Sequence, residues 1–194
     1  MNTILDLLTS VFIGGMVLLL VIQLNLFMSD ASYGSDRELR TQQNIKTMAE
    51  ILNSDLRKVG YGYDNTAILT AEKQRLKFLG DLQPPGESGF GVVDTVEYFI
   101  EDSTHVIGTS NPSDIILVRV VNGTDTISGP SLGLVNLNFT YLDSVSNPTA
   151  ILSKIKYIKT QIWAEPTESE NSFVTGIKDS TFAYWEFTIY PRNI

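Results

Sequence analysis

The sequence predicts an α+β protein in which a long N-terminal helix packs on an antiparallel β-sheet domain. Three observations predict it: an apolar run near the N terminus, apolar residues at helical spacing after it, and alternating apolar residues with frequent turn residues in the remainder. We divide the chain accordingly into a transmembrane helix segment over residues 1–28, an amphipathic helix over residues 29–60 and a globular antiparallel sheet domain over residues 61–194.

The first segment has the composition of a membrane span. Between Ile4 and Met28 the only ionisable residue is Asp6, and residues 11–27 are almost all apolar. At about 1.5 Å per residue a helix over this stretch is about 37 Å long, more than the hydrocarbon layer of about 30 Å requires. A cleaved secretory signal, with Ser29-Asp30-Ala31 as its cleavage site, is the alternative, but such signals begin with basic residues and have a shorter apolar run.

The second segment is predicted to be an amphipathic helix. Residues 35–38 fit a capping box, which predicts that a new or resumed helix begins there after a loosened or kinked stretch at residues 29–34. Gly60 and Gly62 predict its end. The apolar residues between are spaced by three and four, as one buried face requires; they are Ile45, Met48, Leu52, Leu56 and Val59.

The remaining residues predict an antiparallel sheet that packs on this helix face. Asn122-Gly123 predicts a type I′ hairpin turn because both residues tolerate a positive φ. The loops are predicted at residues 84–86, 129–130 and 165–176. The predicted strands are residues 92–100, 115–121, 124–128, 133–142, 155–164 and 182–190. The side chains expected to face the core from the fourth and last of these are Val135, Leu137, Phe139, Tyr141, Ala183, Trp185, Phe187 and Ile189.

Composition excludes several function classes. The net charge of −8 opposes nucleic-acid binding, which needs clustered Lys and Arg on phosphates. The chain has no Cys and one His, His105, so disulfides, thiolate or histidine metal sites and Ser-His-Asp catalysis have no basis. We expect no cofactor and no metal ion. The acidic residues considered as calcium ligands lack the EF-hand spacing; they are Asp30, Asp36, Asp64 and Asp81.

No pair of residues is predicted to be catalytic. Glu97 and Glu101 share one strand face but lie about 13 Å apart, too far for a glycosidase pair, and we interpret them, with the adjacent Asp102, as surface charge. Asp55 and Arg57 at the helix end are interpreted as a solvated face, with polar contacts at the helix end as the alternative. The chain is therefore not expected to be an enzyme.

The order of these elements resembles the type IV pilins and pseudopilins over essentially the whole chain. The N terminus is similar to their mature end, in which a short apolar lead, an acid and a long apolar helix follow each other. The rest is similar to the larger minor pilins and to the J-type minor pseudopilins of type II secretion. The stretches that carry the resemblance are residues 2–8 running into Gly14, residues 55–62, residues 134–143 and residues 185–193.

The resemblance implies a structural subunit, a minor pilin or pseudopilin, of a type IV pilus-like or type II secretion filament, with adhesion, motility or protein secretion as its process. It implies that Asp6 meets the N-terminal amine of a neighbouring subunit during assembly; otherwise Asp6 reaches the lipid headgroups. Gly14 and Gly15 would permit close helix packing or local melting, or are incidental. The implied partners are other pilin or pseudopilin subunits, the inner membrane and assembly platform proteins.

Two positions depart from the family. Met1 stands where the family carries the Gly that ends a basic leader, and Asp6 replaces the usual Glu. Either the chain starts downstream of its true start, or its numbering begins near the mature end, or it is not processed. The first basic residue, Arg37, follows the span, so the positive-inside rule alone would leave the bulk in the cytoplasm.

A basic leader would reverse that orientation. We therefore expect a single-pass membrane protein with an extracytoplasmic bulk before assembly, and a filament after it. The rival from another class is a membrane-anchored extracytoplasmic binding domain that never polymerises. An anchored hydrolase with strand-borne carboxylates is a third reading.

Overall fold

A computed structural model describes residues 2–101, 109, 111–128, 132–166 and 182–194. The described elements begin with one long helix, and antiparallel strands and a short 3-10 helix follow it. In chain order they are α1 (Asn2–Leu56), β1 (Ile68–Ala71), β2 (Arg75–Gly80), β3 (Asp94–Glu101), β4 (Ile116–Val121), β5 (Asp125–Ser128), β6 (Leu134–Leu142), the 3-10 helix (Leu152–Lys154), β7 (Tyr157–Ala164) and β8 (Ala183–Ile189).

The helix α1 runs without interruption through residues 29–38. The capping box predicted at Ser35 is therefore wrong, since no helix begins there. Gly34 costs the helix only about 1 kcal/mol relative to alanine, whereas stopping and restarting a helix requires a new and unfavourable nucleus. Helix continuity is consequently the cheaper arrangement, and one rigid rod joins the apolar segment to the sheet domain.

The helix ends at Leu56, four residues before the predicted end at residue 60, and the chain leaves it through tight turns that finish at Gly62. Gly60 has φ +77°, which a side chain would strain, and the carbonyl oxygen of Asn193 occupies the place its Cβ would take. The N–H of Gly60 donates to the carbonyl of Leu79, 2.8 Å away, at the end of β2. The helix exit is thus held against both β2 and the C-terminal residues.

The described strands form two antiparallel sheets. One has five strands in the order β1-β2-β3-β4-β5, and the other has three in the order β6-β7-β8. The six predicted strands are confirmed within two residues at each end, whereas β1 and β2 were not predicted. At the β4–β5 turn, Asn122 (φ 53°) and Gly123 (φ 71°) have the predicted positive φ, but the loop also includes Thr124.

Two predicted core assignments are wrong. In β6 the pairing with β7 shifts register between Leu134 and Asn136, and this bulge turns Leu134 rather than Val135 into the core. In β8 Trp185 remains 43% exposed, because β8 is the outer strand of its sheet and Trp185 lies beside the helix rather than beneath it. The predicted loops at residues 129–130 and 167–176 lie outside the described residues.

A single apolar core joins the second half of α1 to both sheets. The predicted helix stripe is confirmed, since all five of its residues are at most 6% exposed, and α1 packs on β7 and β8. Each buried Leu, Ile or Phe side chain contributes about 1.5 to 3 kcal/mol relative to an exposed one. The sheet residues that meet the stripe in this core include Leu76, Phe78, Val96, Leu137, Phe139, Ile158 and Ile162.

Candidate functional site

The first half of α1 carries an apolar surface that nothing in the described chain covers. All side chains of residues 3–29 are exposed, and the large apolar ones from Ile4 to Met28 range from 47% for Ile22 to 75% for Ile4. Contiguous exposed apolar surface on this scale marks a protein or membrane interaction site. In the part of the chain that the structure describes, α1 is the helix long and apolar enough to cross a bilayer, which is compatible with a single-pass anchor.

Asp6 lies on this surface with its side chain exposed. The hydroxyl of Thr9 donates to the carbonyls of Leu5 (2.7 Å) and Asp6 (3.0 Å), and that of Ser10 donates to the carbonyl of Leu7 (2.9 Å). These hydroxyls are therefore satisfied by the helix itself, as is usual for Ser and Thr inside a membrane. The carboxylate of Asp6 is left as the only formal charge of the apolar segment, and it would need a cationic partner or water.

Gly14 and Gly15 form an open notch two turns further along the helix. A Cβ atom placed on either would meet no atom within 4 Å beyond its own helical turn. Asp6 and Gly14 are separated by about 12 Å along the axis, so the structure places the three predicted assembly residues on one exposed helix without joining them in one site. Their roles in assembly stay predictions.

The docked end of α1 contains a buried polar cluster formed by Asp55, Tyr98 of β3 and Arg119 of β4. Asp55 Oδ2 accepts the hydroxyl of Tyr98 at 2.6 Å and Nε of Arg119 at 2.7 Å. Asp55 is 7% exposed and Tyr98 is 1% exposed. Interpreting Asp55 as a solvated charge was therefore wrong, while Arg57 is exposed and bonds Asn53 one turn earlier in the helix.

Tyr98 and Arg119 both keep their protons in this cluster. Burial, together with the negative charge of Asp55, raises the pKa of the Tyr98 phenol well above its usual range, so Tyr98 stays a proton donor. Burial alone would lower the pKa of Arg119, but its bonds to Asp55 and Tyr98 outweigh this and raise it. The sequence contained one indication of the cluster: Asp55 follows Leu52 by three residues and so falls on the buried stripe.

Glu97, which the sequence suggested to be surface charge, is only 9% exposed. Glu97 accepts a hydrogen bond from Nε of Arg75 at 2.6 Å and forms an ion pair with Nζ of Lys77 at 3.2 Å. Its burial opposes ionisation, but the two cations outweigh it and lower the pKa of Glu97. Arg75 and Lys77 thus hold Glu97 as a paired carboxylate in mid-sheet, whereas Glu101 is exposed at the end of β3.

Asp81 is the most buried of the four acids considered as calcium ligands, and it stabilises a loop. It is 2% exposed and accepts the backbone N–H of Gln83 at 3.0 Å and of Gly91 at 2.7 Å. Among the described residues no three His, Cys, Asp or Glu side chains are grouped to hold a metal ion. His105 and Asp102 lie outside the described residues.

Comparison with known proteins is informative at the level of structure. No family model matches the sequence, and no curated protein matches it. A type IV-like pilin from Thermus thermophilus shares the fold with a TM-score of 0.50 at 13% sequence identity, over 78% of this chain and 96% of that one. With its long apolar helix docked by one end on antiparallel sheets, the chain has the α+β fold of the type IV pilin-like proteins.

Proposed function

We propose that the chain is a structural subunit, a minor pilin or pseudopilin, of a type IV pilus-like or type II secretion filament. The observation that carries the proposal is the division of α1, whose second half is docked in the domain core while its first half exposes apolar side chains all round. A rod of this kind satisfies two environments in turn, the membrane before assembly and the apolar core of a filament afterwards.

In this proposal the three assembly residues have different tasks. Asp6 would pair with the N-terminal amine of the neighbouring subunit, which fixes the axial position of one helix against the next. Transfer of an unpaired carboxylate into an apolar filament core is costly, so a helix in the wrong register is penalised. The notch at Gly14 and Gly15 would admit the side chains of an adjacent helix or allow the helix to loosen locally.

We propose that the protein works by packing rather than catalysis. The carboxylate that the sequence offered as a catalytic candidate, Glu97, is neutralised by Arg75 and Lys77 and most of it is buried. A general acid or nucleophile must reach its substrate, which this arrangement opposes. The partners would be other pilin or pseudopilin subunits, the inner membrane and the assembly platform proteins, and the sheet domain would lie outside the cytoplasm.

Substitution of Asp6 tests the proposal in the cells that produce the protein. Asp6→Ala should leave the chain in the membrane fraction at the normal level, because removing a charge favours insertion, and should abolish its recovery in sheared filaments. The matched control is Asp36→Ala, which removes another exposed acid from the same helix beyond the apolar segment. That variant should enter filaments as the unmodified chain does.

The same measurement can reject the proposal. If the unmodified chain is absent from every filament fraction and deletion of its gene leaves pili and secretion unchanged, the chain is the non-polymerising anchored domain instead. Equal incorporation of Asp6→Ala and Asp36→Ala would retain a filament role but remove charge pairing as its registration mechanism.

A further inference from the structure

The outer face of the three-stranded sheet carries aromatic and polar side chains along β7 and β8. Along β7 the residues Ile158, Thr160, Ile162 and Ala164 turn into the core, so the alternate residues face outward. We name the outward residues of β7 and β8, with the residue that follows β8, the aromatic face; they are Tyr157, Lys159, Gln161, Trp163, Tyr184, Glu186, Thr188 and Tyr190.

An aromatic pair lies at each end of this face. The rings of Trp163 and Tyr184 lie with centroids 5.2 Å apart and planes at 48°. At the other end Tyr157 and Tyr190 lie 5.3 Å apart at 44°. Trp163 lies six positions after Tyr157 in β7, which corresponds to about 20 Å between the two pairs along the strand. Tyr184 and Tyr190 are 43% and 54% exposed, so ring surface is open at both ends.

Between the pairs lies a row of polar groups already bonded to one another. Glu186 accepts Nζ of Lys159 at 2.8 Å, Nε2 of Gln161 at 2.9 Å and the hydroxyl of Tyr184. Gln161 also donates to the Tyr184 hydroxyl at 2.8 Å. The charges of Lys159 and Glu186 cancel, so the face is electrically neutral and its side chains are held in place before any partner arrives.

We propose that the aromatic face binds an extended, neutral polysaccharide. A pyranose ring has an apolar C–H surface that stacks on an aromatic ring, and its rim of hydroxyl groups both donates and accepts hydrogen bonds. The spaced ring pairs offer the stacking contacts, and the fixed polar row between them offers the hydrogen bonds. The prearranged row also limits the entropy lost on binding.

Other partners fit this face less well. A phosphate-bearing partner needs cationic side chains, and the single lysine here is paired with Glu186 in a chain of net charge −8. A lipid surface or an apolar protein surface would strip water from the polar row without replacing its hydrogen bonds, which costs free energy at each unpaired group. A polysaccharide replaces water with hydroxyl groups. The proposal does not depend on filament assembly.

The two tryptophans of the chain make a direct test possible. Trp163 lies on the aromatic face, whereas Trp185, one strand away, points to the opposite side of the sheet and is itself 43% exposed. The full chain in lipid nanodiscs is titrated with cellohexaose, a flat β-linked glucan, and tryptophan emission is followed. Trp185→Phe, which retains Trp163, should show a saturable change; Trp163→Phe, which retains Trp185, should show none.

Tyr157→Ala then measures the far end of the site. It leaves Trp163 in place and removes one of the two stacking positions, so cellohexaose should bind about tenfold more weakly, as expected for one lost aromatic contact of about 1.4 kcal/mol. Maltohexaose, whose α-links curve the chain, should bind more weakly than cellohexaose. The proposal is overturned if Trp163 emission does not respond to cellohexaose, if both tryptophans respond equally, or if Trp163 emission changes with protein concentration alone, which would indicate a second copy on this face.

Discussion

The two halves of α1 have the same backbone conformation but differ in how their apolar side chains are distributed. Before residue 30 the described side chains are all exposed and almost all apolar, whereas after residue 40 the apolar stripe from Ile45 to Val59 is buried to 6% exposure or less, and Asp55 is the charged residue buried with it. The first half is apolar on all sides, whereas the second has one apolar face because it packs on the sheet domain. Apolar residues on all sides are typical of a helix that is surrounded by an apolar environment, whereas a single apolar stripe is typical of a helix that docks on one side.

The largest effect should come from a substitution in β2 at the place where it contacts the turns that follow α1. A Cβ on Gly80 would overlap the backbone carbonyl of Lys58, and neither backbone can yield without breaking the bond between Gly60 and Leu79. Gly80→Ala should cost at least about 4 kcal/mol in the free energy of unfolding of the sheet domain. Urea unfolding in micelles, followed by the emission of Trp163 and Trp185, measures it.

Gly14→Ala is the matched control in the free half. No atom lies within 4 Å of the added Cβ, and alanine favours a helix by about 1 kcal/mol over glycine, so the urea midpoint of the sheet domain should not change. A comparable loss in both variants would show that the two halves unfold as one unit, which contradicts the division described above.

Much of this division was predictable from the sequence, because periodicity is a local property. The stripe from Ile45 to Val59 and the apolar run both follow from spacing alone. The strands β1 and β2 were missed because both are short: β1 has four residues, and in β2 only Leu76 and Phe78 alternate with the charged Arg75 and Lys77.

The partners within the polar clusters were beyond sequence reasoning for a different reason. Asp55 and Arg119 are 64 residues apart, and Arg75 reaches Glu97 only because β2 and β3 pair in one register. Burial of a charge depends on the partner that tertiary structure delivers, and neither spacing nor composition reports it. Of the candidate assembly residues, the sequence located Asp6, Gly14 and Gly15 on the exposed helix, but their contacts depend on neighbouring subunits.

Leucine truncation compares the halves directly. Leu52 is fully buried and Leu19 is 60% exposed on the same helix. Leu52→Ala should lower the free energy of unfolding by about 2 to 5 kcal/mol through lost burial and a cavity. Leu19→Ala should change it by less than about 0.5 kcal/mol. The same urea measurement applies, and equal losses would mean that the apolar half packs on the domain.

The Asp55 cluster should have a smaller effect. Asp55→Asn keeps the size and one acceptor oxygen but removes the charge that Tyr98 and Arg119 face, so we expect a loss of about 2 kcal/mol, as for a hydrogen bond to a charged group. Arg57→Gln, on the exposed side of the same helix end, should cost less than about 0.5 kcal/mol. If the two variants lose the same stability, the cluster does not fasten α1 to the five-stranded sheet.

Acid should produce the smallest effect. Tryptophan emission should report the unfolding of the sheet domain, whereas far-UV circular dichroism should report the apolar half of α1. Hydrogen bonds from Lys159, Tyr184 and Gln161 lower the pKa of Glu186 to about 2, and the cations beside Glu97 lower its pKa despite burial. A carboxyl whose pKa is lower in the folded state contributes stability that is complete above its ordinary pKa and is lost as the pH falls through the folded value. Between about pH 5 and pH 2 the urea midpoint reported by tryptophan should therefore fall, and it should fall less in Glu186→Gln than in the unmodified chain. Thr188→Ala, an uncharged change on the same strand face, should keep the full pH dependence.

Far-UV circular dichroism should show the apolar half still helical in micelles after the sheet domain has unfolded, because its backbone hydrogen bonds are shielded from water and independent of these carboxylates. Loss of that helical signal at the same urea concentration would show that the sheet domain, and not the apolar environment, holds the first half of α1 together.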